Sequence, residues 1–333
     1  MTYSFTDYEE DSLDTINEIN GEKAEVVAGM KYAMAVAAAG RHNIIAIGGP
    51  GCGKTMLLQH LPEITPNFVT SEDAAATTRV WSLAGLLRPD KNILRQRPFR
   101  MPHQTASIEG ICGGGPNCRP GEISLAHGGT LFLDEAAEFR SSVLQMLRVP
   151  LENHSITLCR AGRSTVYPAD FQLVMAANPC PCGNYGSKEK ICLCSLKSID
   201  QYWKKFSAPL LDRVDIRYFF DGDYKLPTSV DLSLKGIRAM VKQAWETQYR
   251  RQGKLNGKLT PEEILKYVPL SDDVRVMLDK ATLRYGFSPR AVRSTMLLAR
   301  TIADMNGFED IDTACMSVAL ELHKTATSLP PEL

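Results

Sequence analysis

A chain of 333 residues, 44% hydrophobic and 23% charged, is long enough for a full-sized core and has a globular balance. Lysine plus arginine and aspartate plus glutamate each total 38, so net charge selects no partner and any polyanion must be met by local patches. No apolar run reaches membrane-spanning length and residues 1–14 lack an apolar signal core, so a membrane partner is excluded, a cytoplasmic protein is expected, and the nine cysteines read as thiols or metal ligands.

Residues 1–20 are acidic and polar and read as a loosely held lead-in. Residues 22–39 form a helical pattern rich in small side chains, suited to close packing on the strand that follows. That strand, Ile44-Ile45-Ala46-Ile47, opens into Gly48-Gly49-Pro50-Gly51-Cys52-Gly53-Lys54-Thr55, with Met56 onward reading as a helix. This is G-x-x-x-x-G-K-[ST] in strand–loop–helix context, the phosphate-binding P-loop or Walker A pattern. Glycines let successive backbone N–H groups face a phosphate, and a helix N-terminus adds partial positive charge. Lys54 is expected at the β- and γ-phosphates of ATP, and the Thr55 hydroxyl on Mg²⁺.

Pro62 and Pro66 should end that helix, and Ser71 reads as the N-cap of another running to residue 87. Residues 88–100 hold five basic side chains against Asp90, which suits a solvated loop or a phosphate-contacting patch. Residues 110–121, rich in Gly, Pro and Asn, are expected to be loop or insertion. Thr130-Leu131-Phe132-Leu133 then reads as a buried parallel strand ending in Asp134-Glu135, a Walker B pattern. Asp134 is expected to hold Mg²⁺ opposite Thr55, and Glu135 to act as the general base on the attacking water.

Residues 155–158 and 165–167 alternate like two strands of a hairpin, with Arg160 and Arg163 near its tip, either solvated or on a polymer substrate. Residues 171–177 form another core strand ending in Asn178, whose amide can orient the water attacking the γ-phosphate. Cys180-Pro181-Cys182 and Cys192-Leu193-Cys194 place four thiols in one short loop, as a structural Zn²⁺ site or as free thiols. Cys315 shares a helical face with Val318, Ala319 and Leu322 and belongs to a core.

Arg213, flanked by Asp212 and Asp215, is either an ion-paired surface residue or, in a ring-forming ATPase, a group reaching the neighbour's γ-phosphate. After a last strand at 216–219 the pattern is helical: 230–251, a helix started by Thr260 and Pro261, 271–285, 288–305 and a last helix to about 324. The expected architecture is α/β, with a P-loop core over 21–221 and a small all-α lid over 222–333.

Residues 48–55, 131–135, Asn178, 210–215 and 288–293 together resemble the AAA+ ATPases, and within them the magnesium-chelatase-like branch and its ComM/YifB group. The strings that carry the likeness to that group are Arg97-Pro98-Phe99-Arg100, residues 119–127, Asn178-Pro179-Cys180-Pro181-Cys182-Gly183, residues 209–215 and residues 299–304. The resemblance spans residues 20–325 and implies a Mg²⁺-dependent ATPase assembling as a homo-hexameric ring and acting on DNA in branch migration and recombination. It makes Asn178 the sensor-1 residue, Arg213 a finger acting in trans, and Arg290, or else Arg293, the sensor-2 arginine contacting the γ-phosphate from the lid. It makes residues 155–167 the pre-sensor-1 hairpin and the Gly110 region the helix-2 insertion, both facing the pore of a ring. Gly48-Gly49-Pro50-Gly51 replaces the familiar Gly-Pro-Pro-Gly, and Met101-Pro102-His103-Gln104 stands where Ala-Pro-His-His is usual. The group usually carries a Lon-protease-like domain before the ATPase, so a partner chain supplying that domain is a further expectation. The rival readings are a magnesium-chelatase-type motor subunit or other protein-remodelling motor, and a non-catalytic nucleotide-dependent assembly module.

Overall fold

Short β-branched runs become the buried strands of one parallel sheet. A computed structural model of the chain describes residues 3–6, 13–14, 24–87, 93–160, 163–187, 190–220, 222 and 230–324. In chain order the strands are β1 (Ile44–Ile47), β2 (Phe99–Arg100), β3 (Gly113–Gly114), β4 (Arg119–Pro120), β5 (Thr130–Leu133), β6 (Ser155–Arg160), β7 (Arg163–Pro168), β8 (Gln172–Ala177) and β9 (Ile216–Phe219). Strands β2-β5-β8-β1-β9 form the sheet in that order, each pair parallel. Every residue of β1, β5 and β8 is buried, as a sheet covered on both faces requires. Ile47 pairs with Ala177 and Leu133 with Met175, so the loops after β1, β5 and β8 leave the sheet along one edge. Ligands of open α/β sheets bind at that carboxyl edge.

The fold is the expected α/β one, a parallel sheet followed by a helical C-terminal region. Small side chains in helix Ala24–Gly40 let another helix come close: Trp245 Nε1 donates to Ala38 O at 3.0 Å and Gln248 Nε2 to Ala39 O at 3.0 Å. Within the acidic lead-in, Tyr3 and Leu13 are buried, Tyr3 edge-on to Trp245, and the Leu13 carbonyl accepts from Lys31 Nζ at 2.6 Å.

Several helix ends fall elsewhere than the sequence pattern predicts. The helix after the glycine loop stops at Gln59, and Pro62 sits in the first turn of a new short helix, Leu61–Ile64, where a missing N–H costs nothing. The next N-cap is Thr70 rather than Ser71, its hydroxyl accepting from Asp73 N, and that helix ends at Leu83 rather than residue 87. Ser233 caps helix Leu234–Gln252, so the helical pattern begins later than residue 230. The region 110–121 is not wholly irregular: helix Ile108–Cys112 runs into the β3–β4 pair. This insertion packs on the β6–β7 hairpin, with Tyr167 Oη donating to Cys118 O at 2.9 Å. The side chains of Arg160 and Arg163 lie outside the described ones.

Within 88–100, residues 88–92 lie outside the described residues, Arg95 is exposed, and Arg97 and Arg100 are engaged within the fold. Arg97 donates to Pro66 O at 2.8 Å and Gly128 O at 2.6 Å and lies over the rings of Phe68 and Trp245. Arg100 makes a two-pronged pair with Glu122, at 2.6 and 2.7 Å.

The helical region comprises Leu234–Gln252, Pro261–Tyr267, Asp272–Tyr285, Pro289–Met305 and Thr313–Lys324. The domain boundary expected near 222 falls beside residues 221 and 223–229, outside the described ones. A capping box at Thr260 and Glu263 starts the second of these helices as its sequence predicts. Cys315 is buried in the core, also as expected. Among the described residues no helix is long and apolar enough to cross a membrane.

The helices are locked together by Asp304, which is wholly buried. It accepts from Arg251 at 2.6 and 2.9 Å, from Arg300 Nε at 3.1 Å and from Asn256 Nδ2 at 2.9 Å. Removing one member of a buried charged cluster leaves the others uncompensated. Asp304→Ala should therefore lower stability by about 3–5 kcal/mol in urea unfolding. An unchanged urea midpoint would show that the two arginines find water or other partners.

Candidate nucleotide site

The loop after β1 turns through two left-handed glycines, Gly51 at φ 79° and Gly53 at φ 90°. A side chain at either position would strain the backbone. The turn delivers Lys54, which is buried, back toward the loop it ends. Its Nζ donates to Gly48 O at 2.7 Å and Gly49 O at 2.8 Å, and lies 3.3 Å from Asn178 Oδ1. Gly48 N in turn donates to Ala177 O at 3.2 Å, tying the loop to the end of β8. Gly48 has no room for more: a Cβ there would lie 2.8 Å from both Cys52 Sγ and Phe220 Cβ. Pro50 is exposed, while Cys52 and Met56 are half-buried along the loop and first helical turn.

Thr55 Oγ1 donates to Asp134 Oδ1 at 2.8 Å, joining the loop to the end of β5. The hydroxyl and carboxylate are hard oxygen donors, the chemistry Mg²⁺ selects. Together with the ammonium of Lys54, they fit a Mg²⁺-bound triphosphate, with Thr55 and Asp134 to hold the ion. Glu135 is exposed and held left-handed at φ 46°, ψ 48°, with its N–H on Asp134 Oδ1 at 3.0 Å. A non-glycine residue in that region costs roughly 1 kcal/mol or more, and such strain gathers at functional sites. The structure thus brings together Lys54, Thr55, Asp134 and Asn178, with Glu135 next to Asp134.

Three side chains that pattern reading missed hold this edge. Helix Leu196–Lys204 lies outside the elements read from the sequence, although Ser195 caps it and Ile199, Tyr202, Trp203 and Phe206 follow at helical spacing. Trp203 Nε1 donates to Pro179 O at 2.9 Å and Tyr202 meets the Asn178 backbone, which fixes the turn carrying the Asn178 amide. Lys205 Nζ donates to Ala137 O at 2.8 Å, which fixes the turn after Glu135.

Arg213 and Arg290 stand elsewhere. Arg213 lies just before β9, and its carbonyl accepts from Asn43 Nδ2 at 2.8 Å just before β1. Ser288 and Ser294, on either side of Arg290 and Arg293, bond Asp212 at 2.9 Å and Asp215 at 2.6 Å. This is the amino edge of the sheet, a full strand length from the glycine loop, or about 13 Å for four residues. The lid therefore does not bring Arg290 to the chain's own Lys54. Arg213, Arg290 and Arg293 instead line a groove of about 490 Å³ with Glu152, Asp215 and Lys258. Arg213 pairs with the Glu152 carboxylate and the Pro209 carbonyl, and its buried Nε has no partner among the described residues. Burial, and then the Arg213 charge, lowers the Arg290 guanidinium from its ordinary pKa.

The four cysteines converge. The Sγ atoms of Cys180, Cys182, Cys192 and Cys194 all lie within 4.8 Å of one another, with Cys180 buried and Cys182 exposed.

Residues 16–223 match the family described as magnesium chelatase, subunit ChlI, and residues 232–323 match its C-terminal counterpart. The chain is 39% identical over 303 residues to the competence protein ComM of Haemophilus influenzae, covering 87% of this chain and 57% of that protein. It is 39% identical over 284 residues to YifB of Escherichia coli, covering 83% and 54%. An uncharacterized protein of Mycobacterium tuberculosis is 36% identical over 327 residues, covering 94% and 64%. The chain thus spans little more than half to just under two thirds of the length of these relatives. Two family matches that together run through both the sheet and the helices, with these relatives, leave one reading: the chain belongs to the magnesium chelatase, subunit ChlI family of AAA+ ATPases, with ComM and YifB among its relatives.

Proposed function

We propose that the chain hydrolyses ATP as one subunit of a ring, a homo-hexamer in which the active site closes between neighbours, and that the ring works on DNA in the cytoplasm. The observation that carries the reading is the split geometry. Lys54, Thr55, Asp134, Glu135 and Asn178 share one edge of the sheet, while Arg213 and Arg290 share the other. A triphosphate on the glycine loop lies a strand length from Arg213 and Arg290 of its own chain, whereas a head-to-tail neighbour can present the second edge to the first.

Lys54 would bind the β- and γ-phosphates, exchanging its bonds to Gly48 O and Gly49 O for phosphate oxygens. Asn178 would orient the attacking water and Glu135 would take its proton. Mg²⁺, held through Thr55 and Asp134, would supply the neutralising charge on the phosphates. Arg213 and Arg290 of the neighbour would stabilise charge that develops on the transferring group. DNA as the substrate rests on likeness to a competence protein and on the hairpin and insertion that the resemblance places at a ring pore. A partner chain carrying a further domain is compatible with relatives that are longer than this chain.

Steady-state ATPase activity across protein concentration, with and without single-stranded and branched DNA, tests the proposal. The turnover per subunit should rise with concentration and rise again with DNA. A rate indifferent to DNA would favour the second reading, a chelatase-type or other protein-remodelling motor, to which the family match itself lends weight. No hydrolysis at any concentration would leave a nucleotide-dependent assembly module.

A further inference from the structure

We infer that Cys180, Cys182, Cys192 and Cys194 hold one Zn²⁺, and that this metal loop braces the glycine loop that binds the triphosphate. The first half follows from the sulfurs alone. Cys180 Sγ lies 3.4 Å from Cys182 Sγ and 3.7 Å from Cys192 Sγ, and Cys182 Sγ lies 3.6 Å from Cys192 Sγ. Four thiolates on one tetrahedral Zn²⁺, with bonds of about 2.3 Å, lie about 3.8 Å from each other. The set therefore matches a single ion, and an iron–sulfur cluster, with several irons between the thiolates, would need the sulfurs farther apart. Two C-x-C pairs reach this arrangement because the first follows β8 directly and the second precedes the anchored helix Leu196–Lys204. The chain enters and leaves the cluster from fixed points.

The second half follows from what the loop touches. Gly183, next to the ligand Cys182, is buried and left-handed at φ 79°. A Cβ on Gly183 would lie 2.5 Å from Pro50 Cδ, and a Cβ on Gly49 would lie 3.2 Å from Gly183 O. The turn from Cys180 to Gly183 thus rests directly on Gly49 and Pro50. The same segment begins at Asn178, whose amide meets Lys54, and Trp203 clamps Pro179 between the two. An ion tying Cys182 to Cys192 and Cys194 keeps the turn pressed against the glycine loop. Without it the turn keeps the Gly183 N–H on Cys180 O, at 3.0 Å, and, one residue on, the long bond from Asn184 Nδ2 to Ile191 O at 3.4 Å. The bracing rests on the nucleotide reading of residues 48–55; the metal site does not.

The test uses the full chain, purified under reducing conditions from zinc-supplemented cells. Zinc is measured by elemental analysis, and nucleotide affinity by titration with mant-ATP in Mg²⁺ before and after stripping with the zinc-selective chelator TPEN. About one zinc per chain is expected. Stripping should raise the mant-ATP Kd on the order of tenfold, as for a pocket competent a tenth of the time, and zinc should restore it. Less than about half an equivalent of zinc would overturn the metal site. Zinc that leaves without changing the Kd would overturn the bracing. Because a stripped chain can unfold, Gly183→Ala supplies an independent measurement that keeps all four thiols. It should retain its zinc and still bind mant-ATP several-fold more weakly, since the new methyl displaces Pro50; a wild-type Kd would overturn the bracing. Failure of the zinc-loaded wild type to bind mant-ATP would overturn the nucleotide reading and the bracing with it, while zinc content alone judges the metal site.

Discussion

Glu135→Gln should bind ATP about as tightly as the wild type and hydrolyse it roughly 10²–10⁴-fold more slowly, the range a positioned general base supplies. Glutamine keeps the length and planarity of the side chain but cannot take a proton at neutral pH. The backbone that presents it should be undisturbed: the left-handed turn at φ 46° is held by the Glu135 N–H on Asp134 and by Glu138 N–H on Glu135 O at 2.7 Å, neither of which uses the side chain. Lys54→Ala makes the contrasting case, since it removes a phosphate contact and should abolish binding itself. The two variants separate chemistry from affinity when mant-ATP titration and phosphate release are measured on the same samples. Wild-type phosphate release by Glu135→Gln would remove the carboxylate from the proton-transfer step and leave the water to Asn178 and the phosphates. Parallel loss of binding would show instead that the turn after β5 had collapsed.

The carboxyl edge of the sheet was legible because its chemistry is carried by contiguous residues. A β-branched strand followed by glycines, lysine and threonine, and an apolar strand followed by two acids, each fix strand, turn and side-chain identity within twelve residues. Parallel pairing then brings those ends together with no further information. The amino edge was not legible in this way. Whether Arg290 faces the chain's own phosphate or lies beside Arg213 depends on where the helical region docks, and that is decided by Ser294 on Asp215 and Ser288 on Asp212. Nothing in the helical periodicity of residues 288–305 encodes those partners. Two members of the basic stretch were illegible for a related reason: Arg97 and Arg100 look like part of a patch in one dimension, but Phe68, Trp245 and Glu122, which hold them, come from other segments. Helix Leu196–Lys204 is different, because its cap, Ser195, and its apolar spacing at Ile199, Tyr202 and Trp203 are present in the sequence itself.

Arg213→Ala should leave ATP binding intact and lower hydrolysis by roughly 10³-fold or more, the worth of an arginine supplied across a subunit boundary. Loss of activity alone would not distinguish a catalytic arginine in trans from a structural one, because Arg213 also holds Glu152 and the Pro209 carbonyl. Mixing supplies the distinction. An Arg213→Ala subunit keeps Lys54, Asp134 and Glu135, and a Glu135→Gln subunit keeps Arg213. Where the first provides the glycine loop and the second stands beside it in a ring, one complete site forms from two inactive chains. With random mixing at equal amounts roughly a quarter of the sites are complete, so roughly a quarter of wild-type turnover should return. Arg290→Ala offers the same test of the lid, since the groove places Arg290 with Arg213 and away from Lys54. If Arg290 works on the neighbour, its alanine variant is rescued by Glu135→Gln in the same proportion. If a movement of the lid carries it to its own chain's nucleotide, no mixture of the two recovers activity, because every intact glutamate then sits in a chain without the arginine. The pair of mixtures thus assigns each arginine to its side of the interface from turnover alone.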